Sequence, residues 1–287
     1  MSRSKKYQSI PTKLSESEFN EFVLPHLTKG SRGPSKKLSF YRIFHYILKL
    51  LHTGCQWEEL PIEKDENGFP EIHYSNIFRI FQRWILDGCF KKIFVGSIGR
   101  LFEANLLDIQ VIHGDGTTTA AKKGGDNLGY NGHKHMKGDK VVAFCDRNCN
   151  IVGPLIFAAG NRNESPLLRE AMKPLITIAK TIGFKIKGSI MSLDGVYNCR
   201  PNRVKIFNAG MIPNINPNKR NRKKTQRGRK PFFERNIFQE RFRTIERVFA
   251  WEDKFKRLLI RFERKCENHY GMKFIAFALI NLRHFCT

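Results

Sequence analysis

The stretch "VIHGDGTTTAAKKGG", Val111 to Gly125, ends a short apolar run on an aspartate, flanks that aspartate with glycine, and then turns to threonine and lysine. A carboxylate at the end of an apolar strand is out of keeping with a chain of 287 residues that has 51 Lys and Arg against 26 Asp and Glu, a formal charge of +25. A field that strong draws polyanions, and nucleic acid is the partner it predicts. The 41% hydrophobic content is enough for a core of one large or two medium domains.

Around Asp115 the pattern is β, then alternately α and β. "DIQVIHGDG" reads as a strand and "KVVAFCDRNCNIVGPLIFAAG" as a hairpin of two strands. "ESPLLREAMKPLITIAKTIG" has helical spacing, "IKGSIMSLDG" is a strand ending on Asp194, and "RPNRVKIFNAG" and "MIPNIN" read as a helix and a strand before a final long helix carrying Glu246. Asp115 at the end of the first strand and Asp194 at the end of the fourth converge if those strands are neighbours. A ribonuclease-H-like sheet makes them so. The predicted fold class is therefore α/β, a ribonuclease-H-like mixed sheet flanked by helices, over residues 109–287.

Before this region, residues 1–108 read as an all-helical, helix-turn-helix-like DNA-binding domain. Ser15 with Glu18 forms a capping box that opens the short helix of "SESEFNEFVLPHL". "LSFYRIFHYILKLLHTG" has apolar residues at helical spacing, with Gly54 placed to close it. A third helix begins near Ser75, with Arg79, Gln82 and Arg83 opposite its apolar stripe, as a recognition helix would present them.

Three acids brought together raise one another's pKa values and cost stability unless a cation lies among them. Oxygen ligands suit Mg²⁺ or Mn²⁺, and a pair of such ions supports in-line displacement at phosphorus. Eight Lys or Arg lie between Lys219 and Lys230: Lys219, Arg220, Arg222, Lys223, Lys224, Arg227, Arg229 and Lys230. With Lys122 and Lys123 they are candidate contacts to DNA phosphates, which gives binding a steep salt dependence. The seven cysteines are irregularly spaced and predict neither a disulfide framework nor a zinc site. "CDRNC" reads as a hairpin turn, and His133 and His135 lack a third zinc ligand at suitable spacing. No run is long enough to span a membrane and "MSRSKKYQ" leads into no apolar stretch, so a cytoplasmic protein is expected.

At this point the residues carry a resemblance. "LLHTGCQWEELP", "FQRWILDGCFKKIF", "DGTTT", "SLDGVYN" and "ERFRTIERVFAW" followed by "INLRH" resemble the DDE transposases of bacterial insertion sequences, in the group called family five. The resemblance runs over nearly the whole chain. It implies that Asp115, Asp194 and Glu246 are catalytic and bind Mg²⁺ or Mn²⁺, that the N-terminal helices recognise the element's terminal inverted repeats, and that the enzyme nicks DNA and transfers strands. Pairing of two element ends implies a homodimer or higher assembly. A nuclease of the same fold without joining activity, and a catalytically inactive DNA-binding descendant, are the alternatives.

The chain departs from the family's catalytic helix. Where the pattern has Tyr, Arg and Lys around the glutamate, this chain has Gln239, Phe242 and Asp253. At about 100° per residue, a continuous helix would return Arg257 to the face of Glu246. Arg243 and Arg257 are therefore expected to share the phosphate-binding role.

Overall fold

A computed structural model describes residues 7–29, 38–218 and 230–286. In chain order these form α1 (Glu16–Phe22), α2 (Phe40–Thr53), α3 (Tyr74–Leu86), α4 (Cys89–Glu103), β1 (Val111–Ala121), β2 (Gly129–Asn131), β3 (Met136–Cys145), β4 (Ile156–Ala159), α5 (Glu164–Ile182), β5 (Ile190–Leu193), α6 (Arg200–Asn208), β6 (Ile212–Ile215), α7 (Arg235–Gln239), α8 (Ile245–Glu252) and α9 (Cys266–Leu282). The chain divides into a helical unit, residues 1–97, 122–126 and 251–287, and a mixed α/β unit, residues 98–121 and 127–250.

In the helical unit the caps act as the sequence predicts. Ser15 and Glu18 form the reciprocal capping box of α1. Gly54 ends α2 in the left-handed conformation, its amide donating to the Leu50 carbonyl. Ile43, Phe44, Ile47, Leu48 and Leu51 of α2, and Ile77, Phe81 and Trp84 of α3, are buried at helical spacing. Residues 54–73 separate α2 from α3, so the short turn of a helix-turn-helix motif does not join these two. The tight turn lies instead at Asp87 and Gly88, before α4, a helix the sequence reading passed over although Phe90, Phe94, Ser97, Ile98 and Leu101 bury one stripe of its surface.

The units divide at 97/98, and α9 falls in the same unit as the N-terminal helices. Ile275 to Ile280 are all buried, and a helix apolar on every side needs other helices around it. Gly271 permits this packing: a Cβ there would lie 2.8 Å from Ile85.

The α/β unit is built on a sheet of order β2-β3-β1-β5-β6, with β4 also paired to β3. β3 runs antiparallel to β1, and β4 antiparallel to β3, which is the expected hairpin. β1, β5 and β6 are parallel. The "CDRNC" turn is held by Asp146, whose Oδ1 accepts the amides of Asn148 and Asn150, both at 2.8 Å.

The expected single helix around Glu246 is not continuous. α7 passes into a tight 3₁₀ turn at Glu240–Arg243, the chain breaks at Thr244, and α8 ends at Glu252. Thr244 leaves helical geometry while its hydroxyl donates to the Glu240 carbonyl at 3.0 Å, an alternative to the helical ladder. Burial follows the break: Ile245 and Val248 are buried, whereas Phe242, Leu259 and Phe262 are exposed. Among the described residues no helix is long and apolar enough to cross a membrane.

Candidate active site

The backbone brings two of the three acids together. β1 and β5 pair through Gly114 and Leu193, the last partners of the parallel ladder, so Asp115 and Asp194 are the next residue on each of two adjacent strands. Contrary to the expectation from the sequence, Asp115 does not end its strand: β1 continues to Ala121, still paired with β3. What ends at Asp115 is the parallel pairing.

The glycines on either side answer why "GDG" is written there. Strand alternation puts His113 and Asp115 on one face and Gly114 and Gly116 on the other. A Cβ on Gly114 would lie 2.7 Å from Leu193 and 2.8 Å from Phe144, and one on Gly116 would lie 2.6 Å from the Glu164 carboxyl carbon. Both contacts demand a residue without a side chain. Asp194 Oδ1 accepts the amide of Gly195 at 2.6 Å and opens the turn Gly195–Tyr197.

Burial pushes the Asp115 carboxyl up to about 6, against the opposing pull of Arg241 and the Gly116 amide, with Glu164 and Asp194 adding to the rise. The counter-ion is Arg241. Its guanidinium bonds the Asp115 carboxylate, and its Nη1 stands 3.7 Å from Oε1 of Glu246 in the first turn of α8. One cation thus lies between an acid of the sheet and an acid of the helix.

The residue before it fixes the turn in place. Glu240 accepts two hydrogen bonds from Arg147, at 2.8 and 2.9 Å, and lies 3.3 Å from His113 Nε2. Burial lowers the fully enclosed His113 to about 4, outweighing the pull of Glu240. At neutral pH the imidazole is uncharged, so this contact is a hydrogen bond to Glu240 and not an ion pair.

Glu164, in the first turn of α5, was not singled out from the sequence. Its Oε1 lies 3.3 Å from Lys140 Nζ, and its Oε2 accepts from Tyr197 at 3.2 Å. Burial and the neighbouring carboxylates raise the Tyr197 phenol well above its ordinary range, so it stays a donor. In "NRNESPLL" the glutamate reads only as a favourable first-turn charge after the Asn163 cap. The one hint was Gly116, a glycine inside a strand with no turn to explain it.

All oxygen donors here are of the type that suits a hard divalent cation. Among the described residues, no three acidic, histidine or cysteine side chains are close enough to hold one. Arg241 supplies the positive charge between Asp115 and Glu246 in this conformation.

The candidate DNA contacts divide. Arg79, Lys122, Lys123, Lys230 and Arg243 are exposed. Gln82 and Arg83 are half-buried, and Nε and Nη2 of Arg83 are enclosed without a hydrogen-bond partner. Lys219, Arg220, Arg222, Lys223, Lys224, Arg227 and Arg229 lie outside the described residues. The expectation for Arg257 is corrected: it is 6% exposed, donates to the Cys55 carbonyl at 2.9 Å and pairs with Glu263 at 2.6 Å. Because α8 stops at Glu252, the rotation that would have returned Arg257 to the Glu246 face never accumulates. Lys254 donates to the Ile10 carbonyl at 2.6 Å.

No family model matches this chain, and no curated protein sequence matches it. Among solved structures it is similar to the Mos1 transposase paired-end complex with left transposon end, at 10% identity and a TM-score of 0.29, over 87% of this chain and 79% of that one. A pre-cleavage Mos1 transpososome is similar at 9% identity and a TM-score of 0.28, over 88% and 80%.

Proposed function

We propose that this chain is a DDE-type transposase with a ribonuclease-H-like catalytic unit, acting on DNA by phosphoryl transfer at Asp115, Asp194 and Glu246. The observation that carries the reading is the Gly114–Leu193 register, which sets Asp115 and Asp194 side by side at the end of the parallel ladder. The sequence resemblance to insertion-sequence transposases of family five, and the +25 charge, agree with it. Mg²⁺ or Mn²⁺ held by the three carboxylates would supply Lewis acidity and an activated water or 3′ hydroxyl.

The chain's own residues have distinct tasks in this reading. Asp115 and Asp194 are fixed by the sheet and set the position of the reacting phosphate. Arg241 neutralises Asp115 and Glu246 in this conformation; a divalent ion held by the carboxylates would supply that charge instead and would leave the guanidinium to face a DNA phosphate. The Arg147–Glu240–His113 cluster holds the turn from which α8 and Glu246 depart. Arg243, Lys122, Lys123 and the basic run Lys219–Lys230 track the DNA backbone, and the N-terminal helices, with Arg79 exposed on α3, engage the element's inverted repeats. Two copies of the chain pair two element ends.

The alternative of an inactive DNA-binding descendant draws on one observation, the guanidinium lying where a cation would be needed. One experiment separates the readings. A labelled duplex carrying the DNA that flanks the reading frame is incubated with the native protein or Asp194→Ala, with Mg²⁺ or Mn²⁺, and a 3′-hydroxyl oligonucleotide is offered with plasmid target. Metal-dependent nicking and joined product, both lost in the variant, are expected. Nicking without joining would make the protein a nuclease, and salt-sensitive binding without nicking by either protein would make it the inactive descendant.

A further inference from the structure

The helical unit contains a cavity that the phosphoryl-transfer reading does not use. Gly54, at the end of α2, has φ 76° and approaches the backbone of Lys256 so closely that a Cβ would lie 3.2 Å from it. This close pass sets Cys55 to Trp57 against the turn that carries Arg257. Beside it opens a cavity of about 640 Å³, with Trp57, Tyr74 and Phe262 contributing aromatic surface and Lys123, Glu58 and Arg257 contributing charge.

The wall is preformed. The Trp57 ring is backed by Phe78 at 5.0 Å and Phe81 at 5.2 Å, and its Nε1 donates to Glu263 at 3.3 Å. Glu263 also receives Arg257, whose guanidinium lies 5.6 Å from the Phe262 ring centre. The Nε of Arg257 is buried and has no hydrogen-bond partner.

We propose that this cavity receives a single nucleobase turned out of a DNA strand, an inference that rests on the DNA-binding reading above. Its size is that of a small-molecule site. Three aromatic rings offer stacking, which accepts any base. Arg257 and Lys123 can donate to base carbonyls and ring nitrogens, and Glu58 can accept from an exocyclic amine. A phosphate would meet Glu58 and Glu59 at the lining and be repelled, whereas a neutral base would not. The sugar and phosphate then stay outside.

Turning out a base is least costly when it has no partner, so the test uses a duplex with one unpaired nucleotide against the same duplex fully paired, with full-length protein at one salt concentration. The native protein is expected to bind the unpaired duplex about tenfold more tightly, on the scale of one stacked base. Tyr74→Ala and Phe262→Ala, at part-exposed positions, should each reduce that preference severalfold while leaving the paired duplex bound as before. Iododeoxyuridine at the unpaired position should crosslink, on irradiation, to a peptide containing Trp57, Tyr74 or Phe262. Equal affinity of the native protein for the two duplexes would overturn the cavity's role and leave DNA binding intact. A preference that survives both variants, or a crosslink elsewhere, would overturn its location. Binding of neither duplex would remove the DNA reading and this inference together. Displacement of both duplexes by a free deoxynucleoside monophosphate, without preference for the unpaired one, would assign the cavity to a mononucleotide instead.

Discussion

Asp115 and Asp194 are placed by backbone, and Glu246 by side chains. The first two follow a parallel ladder in which four consecutive residue pairs fix the register, and neighbouring glycines let Leu193, Phe144 and Glu164 close in. Glu246 stands on an eight-residue helix after a break at Thr244, and it relates to the sheet through Arg241 and, one turn earlier, through Glu240 with Arg147 and His113. A one-residue slip of a ladder reverses every side chain, so ladder positions are all-or-none. Ion pairs at a partly exposed turn can shift by small steps. The rigid half of the site should therefore respond to substitution by loss of chemistry, and the adjustable half by graded changes in stability and cation response.

The largest effect should come from the rigid half. Asp194→Ala removes a charge from a position the ladder will still hold, so the fold should persist while metal-dependent DNA cleavage falls by more than about a thousandfold, several kcal/mol of transition-state stabilisation. Cleavage rates, with circular dichroism as the control for folding, decide this. An active Asp194→Ala protein would end the reading of the ladder as the seat of chemistry.

Arg241→Ala tests what joins the two halves. Arg241 and Asp115 have side-chain exposures of 11% and 17%, and losing one partner of so enclosed a pair costs roughly 3–5 kcal/mol. Melting temperature should fall, and Mg²⁺ should raise it by more in the variant than in the native protein, because the cation no longer competes with a guanidinium. Equal Mg²⁺ shifts would mean that Arg241 and the divalent ion do not share a place.

Much of the rigid half was legible in the sequence, and little of the adjustable half was. Asp-Gly after an apolar run, twice, with the strand order implied by alternating α and β patterns, was enough to place Asp115 and Asp194 together. Apolar spacing in the final helix could not show that Thr244 breaks it, since a break of one residue leaves most of such a pattern standing. The error carried Arg257 from the site, where rotation along a continuous helix had put it, to a buried pair with Glu263. Glu164 was hidden for another reason: packing against Gly116 is a contact between distant segments, and local pattern has no term for it. The same holds for α9, whose all-round apolar surface announces burial but not among which helices.

A titration separates Asp115 from its neighbours. Its folded-state pKa of about 6 lies above the ordinary 3.8, so between those values the folded protein binds more protons than the unfolded chain. Stability from this group then falls as pH rises from about 4 to about 6, by roughly 3 kcal/mol at most. His113 acts in the opposite sense, because its value of about 4 lies below 6.5 and its contribution grows as pH rises through that interval. Comparing native protein with Asp115→Asn cancels His113, which both retain. The melting temperature of the native protein relative to the variant should decline across pH 4 to 6, and saturating Mg²⁺ should shrink the decline by favouring the ionised carboxylate. A flat difference would mean that Asp115 is not held against its charge.

The smallest effect should come from Arg147→Ala, and it isolates the adjustable half. Arg147 and Glu240 have side-chain exposures of 30% and 35%, so solvent screens the pair and its loss should cost about 1 kcal/mol. Glu240 would keep only its hydrogen bond to neutral His113, and the turn that launches α8 would lose its bidentate clamp. If α8 takes its position from that clamp, the concentration of Mn²⁺ needed for half-maximal cleavage should rise severalfold, while the rate at saturating Mn²⁺ changes little. Asp115 and Asp194, set by the ladder, would be untouched, so a fall in the saturated rate with no change in the Mn²⁺ requirement would contradict the division. Arg147→Lys supplies the control: a lysine keeps the charge but cannot make the two-point contact, and it should restore stability more fully than it restores the Mn²⁺ requirement. That split would show that the geometry of the turn, and not its charge alone, brings Glu246 to the other two acids.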